Sequence, residues 1–311
     1  MGLDINGARF LLYARTLDVD FTRTATVGRQ GLHLRRRDLK DSFEAFGYAV
    51  DDELIDAIFT KSDGYAEQLL MYLGARDVHS FDVSAYEGAT HLHDMNRQLP
   101  VRVQEQYTTV LDGGSLEHVF NFPTAIRNCM EMVKVGGHYL GITPANNFMG
   151  HGFYQFSPEV FFSVFTRENG FELIRLMAFE DRPSAIWYSV RSPKEVRGRV
   201  TLINSSPVYI LIVARRFLKT LILQTTPQQS DYLSAWHRSD RADQAPTSTR
   251  SSTKEVSLLD RVKRSTPVLL KRLLRRVRPR SRLGFDPRFF QPLDPTTSAR
   301  SPAPARALTG R

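Results

Sequence analysis

Residues 110–120 of this 311-residue chain read Val-Leu-Asp112-Gly113-Gly114-Ser-Leu-Glu117-His118-Val-Phe. This is an apolar stretch that ends in an aspartate, two glycines, and then a carboxylate beside an imidazole. A Glu–His pair can serve as an acid–base couple, as a proton shuttle, or as two ligands for a divalent ion. Glycines let the backbone approach a ligand closely. Equally, Glu117 and His118 can cap and orient the helix that follows. Two further runs, Phe81-Asp82 and His93-Asp94-Met95-Asn96, also close β-type stretches on an aspartate. One such aspartate is an ordinary turn residue. Three in succession suggest a shared ligand that offers hydroxyls and amines.

A fourth run, residues 144–158, combines Asn146, Asn147, His151, Tyr154 and Gln155 with glycines and phenylalanines. That composition suits a lid or an acceptor pocket, and long ordered loops are uncommon without a role. It also suits a structural loop whose aromatics pack on the body.

The elements that must hold these residues alternate. Residues 22–27 (TRTATV) read as a strand that closes on Gly28, and 37–46, 52–60 and 65–73 as helices, the last stopped by Gly74. Short strands follow at 78–83, 90–93 and 107–111, a helix at 124–135, a strand at 138–142 and a helix at 158–166. β-rich runs close the series at 172–179, 185–190, 200–203 and 208–214. Strands alternating with helices imply a parallel sheet covered on both faces. Residues 200–204 and 208–214, joined by Ser205-Ser206-Pro207, read as an antiparallel hairpin. The fold class expected is therefore α/β: a Rossmann-like, mostly parallel sheet finished by an antiparallel terminal hairpin.

In this order the pieces resemble the class I S-adenosylmethionine-dependent methyltransferase superfamily, over about residues 20–217. That family has a seven-stranded sheet whose last strand is antiparallel. The resemblance implies that Asp82 holds the cofactor's ribose hydroxyls and that Asp94 receives the adenine amino group, with Met95 beside the ring. It implies that Asp112 and Gly113 face the methionine moiety and the methyl group. It sets Glu117-His118 near the acceptor, where the pair sometimes binds a divalent cation. The family's glycine-rich loop is reduced here to Gly28 in Val27-Gly28-Arg29-Gln30-Gly31, with Arg29 where a small residue is usual. Ser62-Asp63-Gly64 is the weaker candidate for that loop. The gap from Asp82 to Asp94 is too short for a helical crossover and reads as a loop over residues 84–88.

Charge divides the chain. Its 42 Lys/Arg and 33 Asp/Glu give +9, but residues 250–311 hold 16 basic and 4 acidic side chains, so the body is slightly acidic. The isoelectric point is then no argument for a nucleic-acid partner. Residues 1–223 read as the α/β domain, 224–257 as linker, 258–291 as a basic amphipathic helical segment, and 292–311 as a disordered tail. Within the third, PVLLKRLLRRV from 267 has a leucine face and an arginine face. Residues 267–278 could dock on the body, lie on an anionic membrane, or touch phosphates. The longest apolar run is seven residues, far short of the ~20 a membrane span needs. A single cysteine, Cys129, excludes an intramolecular disulfide and fits a reducing cytoplasm.

The activity expected is methyl transfer from S-adenosylmethionine to oxygen or nitrogen of a small-molecule or glycan-type acceptor. His118, or His151 from the lid, would be the base, with Glu117 orienting His118 or binding an ion. The alternative is a binding or scaffolding module of the same fold, in which Arg29 fills the methionine pocket and keeps cofactor out. A nicotinamide-dependent oxidoreductase is disfavoured, since no strand is followed by G-x-G-x-x-G.

Overall fold

A computed structural model describes residues 2–61, 63–183, 185–230, 232 and 283–297. The basic segment expected over 267–278 lies outside the described residues. The chain begins with β1 (Gly2–Leu3), α1 (Ile5–Thr16), β2 (Arg23–Val27), β3 (Gly31–Leu32), α2 (Arg36–Ala45), α3 (Asp52–Thr60) and α4 (Glu67–Tyr72). Next come β4 (Asp77–Asp82), β5 (His91–Leu92), β6 (Tyr107–Gly113), α5 (Phe122–Met132) and β7 (Val133–Asn146). The series ends with α6 (Pro158–Val164), β8 (Phe171–Glu180), β9 (Trp187–Val190), α7 (Pro193–Val196), β10 (Val208–Arg216) and β11 (Phe290–Leu293).

Nine strands, among the described residues, form one sheet, two more than the expected seven, in the order β11-β9-β8-β10-β7-β6-β2-β4-β5. From β7 to β5 neighbouring strands are parallel. β10 runs antiparallel to β7 on one side and to β8 on the other. Its residues alternate between the two faces of the sheet. Leu211 and Val213 join a core with α1 to α4, while Ile210, Ile212 and Ala214 join a second core with α5 and α6. Burying each such leucine or isoleucine contributes roughly 1.5–3 kcal/mol. No helix among the described residues is long and apolar enough to cross a membrane.

The terminal hairpin differs from expectation. Residues 200–204 form no strand, and Ile203 makes only an isolated bridge to Gly284. A nine-residue strand buried almost throughout must satisfy its backbone along both edges, and β7 and β8 are long enough to do so. The five-residue run at 200–204 is not. The boundary placed at 291/292 also falls inside β11, which pairs with β9. Aromatic packing holds it there, with Phe285 stacked on Tyr188 at 4.0 Å and Phe290 buried.

Candidate functional site

The parallel strands end together, and their register decides what meets. Val27 of β2 lies opposite Phe81 of β4 and Asp112 of β6, so Gly28, Asp82 and Gly113 all emerge at one edge. Gly28 turns there with φ +70, a conformation glycine tolerates, and its N–H donates to the Phe81 carbonyl at 2.7 Å. Beyond the edge is a cavity of about 380 Å³ whose lining includes Gly28, Asp82, Asp94, Met95, Ser115 and His118, over apolar Val27, Phe81 and Val119. Asp82 is steadied by accepting from the Ser84 N–H at 3.0 Å. Asp94 accepts from both the backbone and side chain of Asn96, at 2.9 and 2.8 Å. Those bonds hold its carboxyl below the usual range, ionised and ready to accept.

Asp112 does not share this hollow. It is buried beneath the short helical turn Leu116–His118, accepting from the Ser115 and Leu116 N–H groups at 2.9 and 3.3 Å. The Tyr139 hydroxyl donates to its other oxygen at 3.4 Å. Of three aspartates expected to converge, two do; the third builds the turn that carries Glu117 and His118. Its burial pushes the carboxyl up despite these donors.

Arg29, expected at the cofactor, points elsewhere. Its Nε donates to Glu67 at 2.6 Å, Nη1 reaches the Glu87 carbonyl at 3.0 Å, and the guanidinium lies over Tyr65. Gln30 turns inward instead, donating to the Val27 carbonyl at 2.7 Å, with its side-chain oxygen buried and unpartnered. It lies so close under Gly113 that any β-carbon there would collide with it.

A second cavity, about 260 Å³, adjoins the first, and His118 lines both. Its other walls include Asp4, Gly113, Glu117, His151, Phe179, Asp181 and Tyr209. Asp4 arrives through the parallel pairing of β1 with β3, and its side chain caps α1 by accepting from the Gly7 N–H at 2.8 Å. Glu117 is wholly buried and neither carboxylate oxygen has a hydrogen-bond partner. Desolvation, and then the charge of Asp112, push its carboxyl well above the ordinary range. His151 Nε2 lies 3.6 Å from Glu117 Oε1, and the His118 and His151 rings are 5.1 Å apart. Desolvation and then His151 lower the His118 pKa, favouring a neutral ring that can take a proton. Donor atoms of Glu117, His118 and His151 all lie within 4.8 Å of one another, a set compatible with a cation. Burial first, then the Asp4 charge, raises the Asp181 carboxyl.

Of the loop expected as a lid, only His151 reaches a cavity wall. The Asn147 side chain donates to Asn204 and to the Ser206 carbonyl, and Asn146 to Asn204 at 2.9 Å. Gln155 accepts from the Phe148 N–H, and the Tyr154 hydroxyl donates to the Phe120 carbonyl at 2.6 Å. These four brace the loop. The Glu117 carbonyl, accepting from the Phe153 N–H at 2.8 Å, ties it over the second cavity. Asp4, Asp181, Tyr209 and Gln30 were not singled out from sequence. Asp4 alone carried a local signal, an aspartate three residues before a glycine at a helix start.

No family model and no curated protein matches the chain. Solved structures similar to it include TehB from Haemophilus influenzae, 17% identical, covering 58% of this chain and 67% of that one at TM-score 0.33. Another is the Burkholderia thailandensis 1,6-didemethyltoxoflavin N1-methyltransferase with its substrate and S-adenosylhomocysteine. It is 14% identical and covers 68% of this chain and 77% of that one at TM-score 0.35. A geranyl diphosphate methyltransferase bound to S-adenosylmethionine is 12% identical, covering 68% and 85% at TM-score 0.36. The fold itself is α/β, a mixed sheet that is parallel from β7 to β5 and antiparallel from β7 to β11. The acceptors named for those proteins are theirs.

Proposed function

We propose that this chain transfers a methyl group from S-adenosylmethionine to nitrogen or oxygen of a small-molecule acceptor. One observation carries the reading: two adjoining cavities share His118 as a common wall, the first offering carboxylates at two strand ends and the second offering acid–base groups. The first cavity fits a nucleoside cofactor, since 380 Å³ is within the usual range for small-molecule sites. Asp82 would accept from ribose hydroxyls, Asp94 from the adenine amino group, and buried Met95 would lie along the ring. When bound, the cofactor supplies a methyl carbon attached to a positively charged sulfur. His118 would take the acceptor's proton, freeing the electron pair that bonds the methyl carbon while the pair of the broken carbon–sulfur bond stays on sulfur. Positioning of donor and acceptor across the shared wall supplies much of the acceleration.

The three-donor cluster favours a second reading. Glu117, His118 and His151 would hold a divalent cation, which would polarise an acceptor hydroxyl. A non-enzymatic scaffold loses the support it had from Arg29, because that side chain faces away from both cavities.

Calorimetry with S-adenosylhomocysteine tests the cofactor assignment. Binding should weaken at least about tenfold in Asp82→Ala and in Asp94→Ala. Binding that neither substitution changes would remove the nucleoside from this cavity.

A further inference from the structure

Acidic side chains outnumber basic ones in the second cavity. Three carboxyl groups line it, Asp4, Glu117 and Asp181, beside the imidazoles of His118 and His151, and no lysine or arginine does among the described residues. Glu117 is wholly buried with both oxygens unpartnered, so burial alone favours its protonated form, and a ligand that brings positive charge or donors would pair its ionised form. Aromatic surface stands beside the acids: Phe179 and Tyr209 line the cavity with rings stacked 5.8 Å apart. Carboxylates together with aromatic faces are what binds an organic cation, through charge-assisted hydrogen bonds and ring-quadrupole attraction.

We infer that the methyl acceptor is a protonated amine, its ammonium held among Asp4, Glu117 and Asp181 and its apolar body against Phe179 and Tyr209. This rests on the methyl-transfer reading for what happens to the amine, but not for its binding. A bare metal ion accounts for less of the cavity. Asp4 and Asp181 stand outside the three-donor cluster, and the aromatic faces and about 260 Å³ of space have no part in holding an ion. In the transfer, one ammonium proton would pass to His118, nitrogen's freed pair would bond the methyl carbon, and sulfur would keep the pair of the broken bond.

The test is calorimetry on the full chain saturated with S-adenosylhomocysteine, using three amines of different shape, each against its alcohol counterpart. The pairs are phenethylamine with 2-phenylethanol, cyclohexylamine with cyclohexanol, and putrescine with 1,4-butanediol. At least one amine should bind about tenfold tighter than its alcohol. Asp181→Asn, at an exposed position, and the isosteric Glu117→Gln should each erase most of that preference and leave S-adenosylhomocysteine affinity unchanged. Alcohols binding as tightly as amines, none of the six binding, or Zn²⁺ or Mn²⁺ binding while every amine fails would each overturn the inference. Amine preference that persists when S-adenosylhomocysteine does not bind would remove the transferase reading and leave the amine site standing.

Discussion

Glu117 is held where a carboxylate is least comfortable, wholly buried and without hydrogen-bond partners. Its raised pKa has a stability consequence with a definite sign. Below the ordinary carboxylate range the group is protonated in both the folded and unfolded chain and contributes no difference. As pH rises above that range the unfolded chain releases its proton and the folded one does not, so stability falls. Denaturant unfolding should therefore show Glu117→Gln gaining on the wild type as pH rises, about 1.4 kcal/mol for each unit of displacement. A difference flat in pH would contradict it. His138 acts at the other end of the scale. It is buried, and desolvation followed by Arg215 lowers its pKa to about 4. From the ordinary histidine range down to about 4 only the unfolded chain binds that proton, so stability is lost as pH falls. His138→Gln should flatten that acid limb in a pH series of melting curves. At this scale the sequence was legible where a residue's job is local. Asp82 and Asp94 do line one cavity, because Asp82 ends β4 and Asp94 follows the end of β5 by two residues at the same sheet edge. Asp112 and Arg29 went elsewhere because their partners, Tyr139 and Glu67, are 27 and 38 residues away and invisible to spacing.

Elements were recovered where they are amphipathic or short and apolar, and lost where neither signal exists. Helix α1 is buried on nearly every side, from Phe10 through Ala14, so it shows no polar stripe with a 3.6-residue period. It nonetheless delivers Asp4 to the second cavity. Cap and charge can be separated there. Asp4→Asn keeps a good N-cap and should leave urea stability nearly intact, whereas Asp4→Ala should cost about 1 kcal/mol. Equal losses from both would mean that the charge, not the cap, stabilises α1. The loop from β7 to α6 depends on one close approach. Gly152 has φ +74, and a β-carbon there would press on the Glu117 carbonyl. Gly152→Ala should lower stability by about 1–3 kcal/mol and weaken acceptor binding, with S-adenosylhomocysteine binding preserved. Loss of both affinities together would mean the loop supports the first cavity as well.

For the whole molecule, the parallel half of the sheet could be read from alternation of strands and helices, and the antiparallel half only in part. β10 announced itself as an apolar run, but its partners β8 and β7 end at Glu180 and Asn146, well upstream of the turn that sequence proximity pointed to, and topology overrode proximity. β11 could not be anticipated: it comes from a region rich in Pro, Ser and Arg, and only Phe285, Phe289 and Phe290 mark it. Phe290→Ala should cost about 3–5 kcal/mol, measured by denaturant unfolding, because the ring is buried against the second core.

That last strand has a practical corollary. A cleavage site engineered between residues 232 and 283 would yield two polypeptides held together, among the described residues, by the β9–β11 ladder, the Ile203–Gly284 bridge and the aromatic clasp. They should co-elute under native conditions and part in denaturant, making the protein a ready-made split reporter. A synthetic peptide spanning residues 283–297 should likewise restore solubility to a chain that stops at 232, by covering the bare edge of β9.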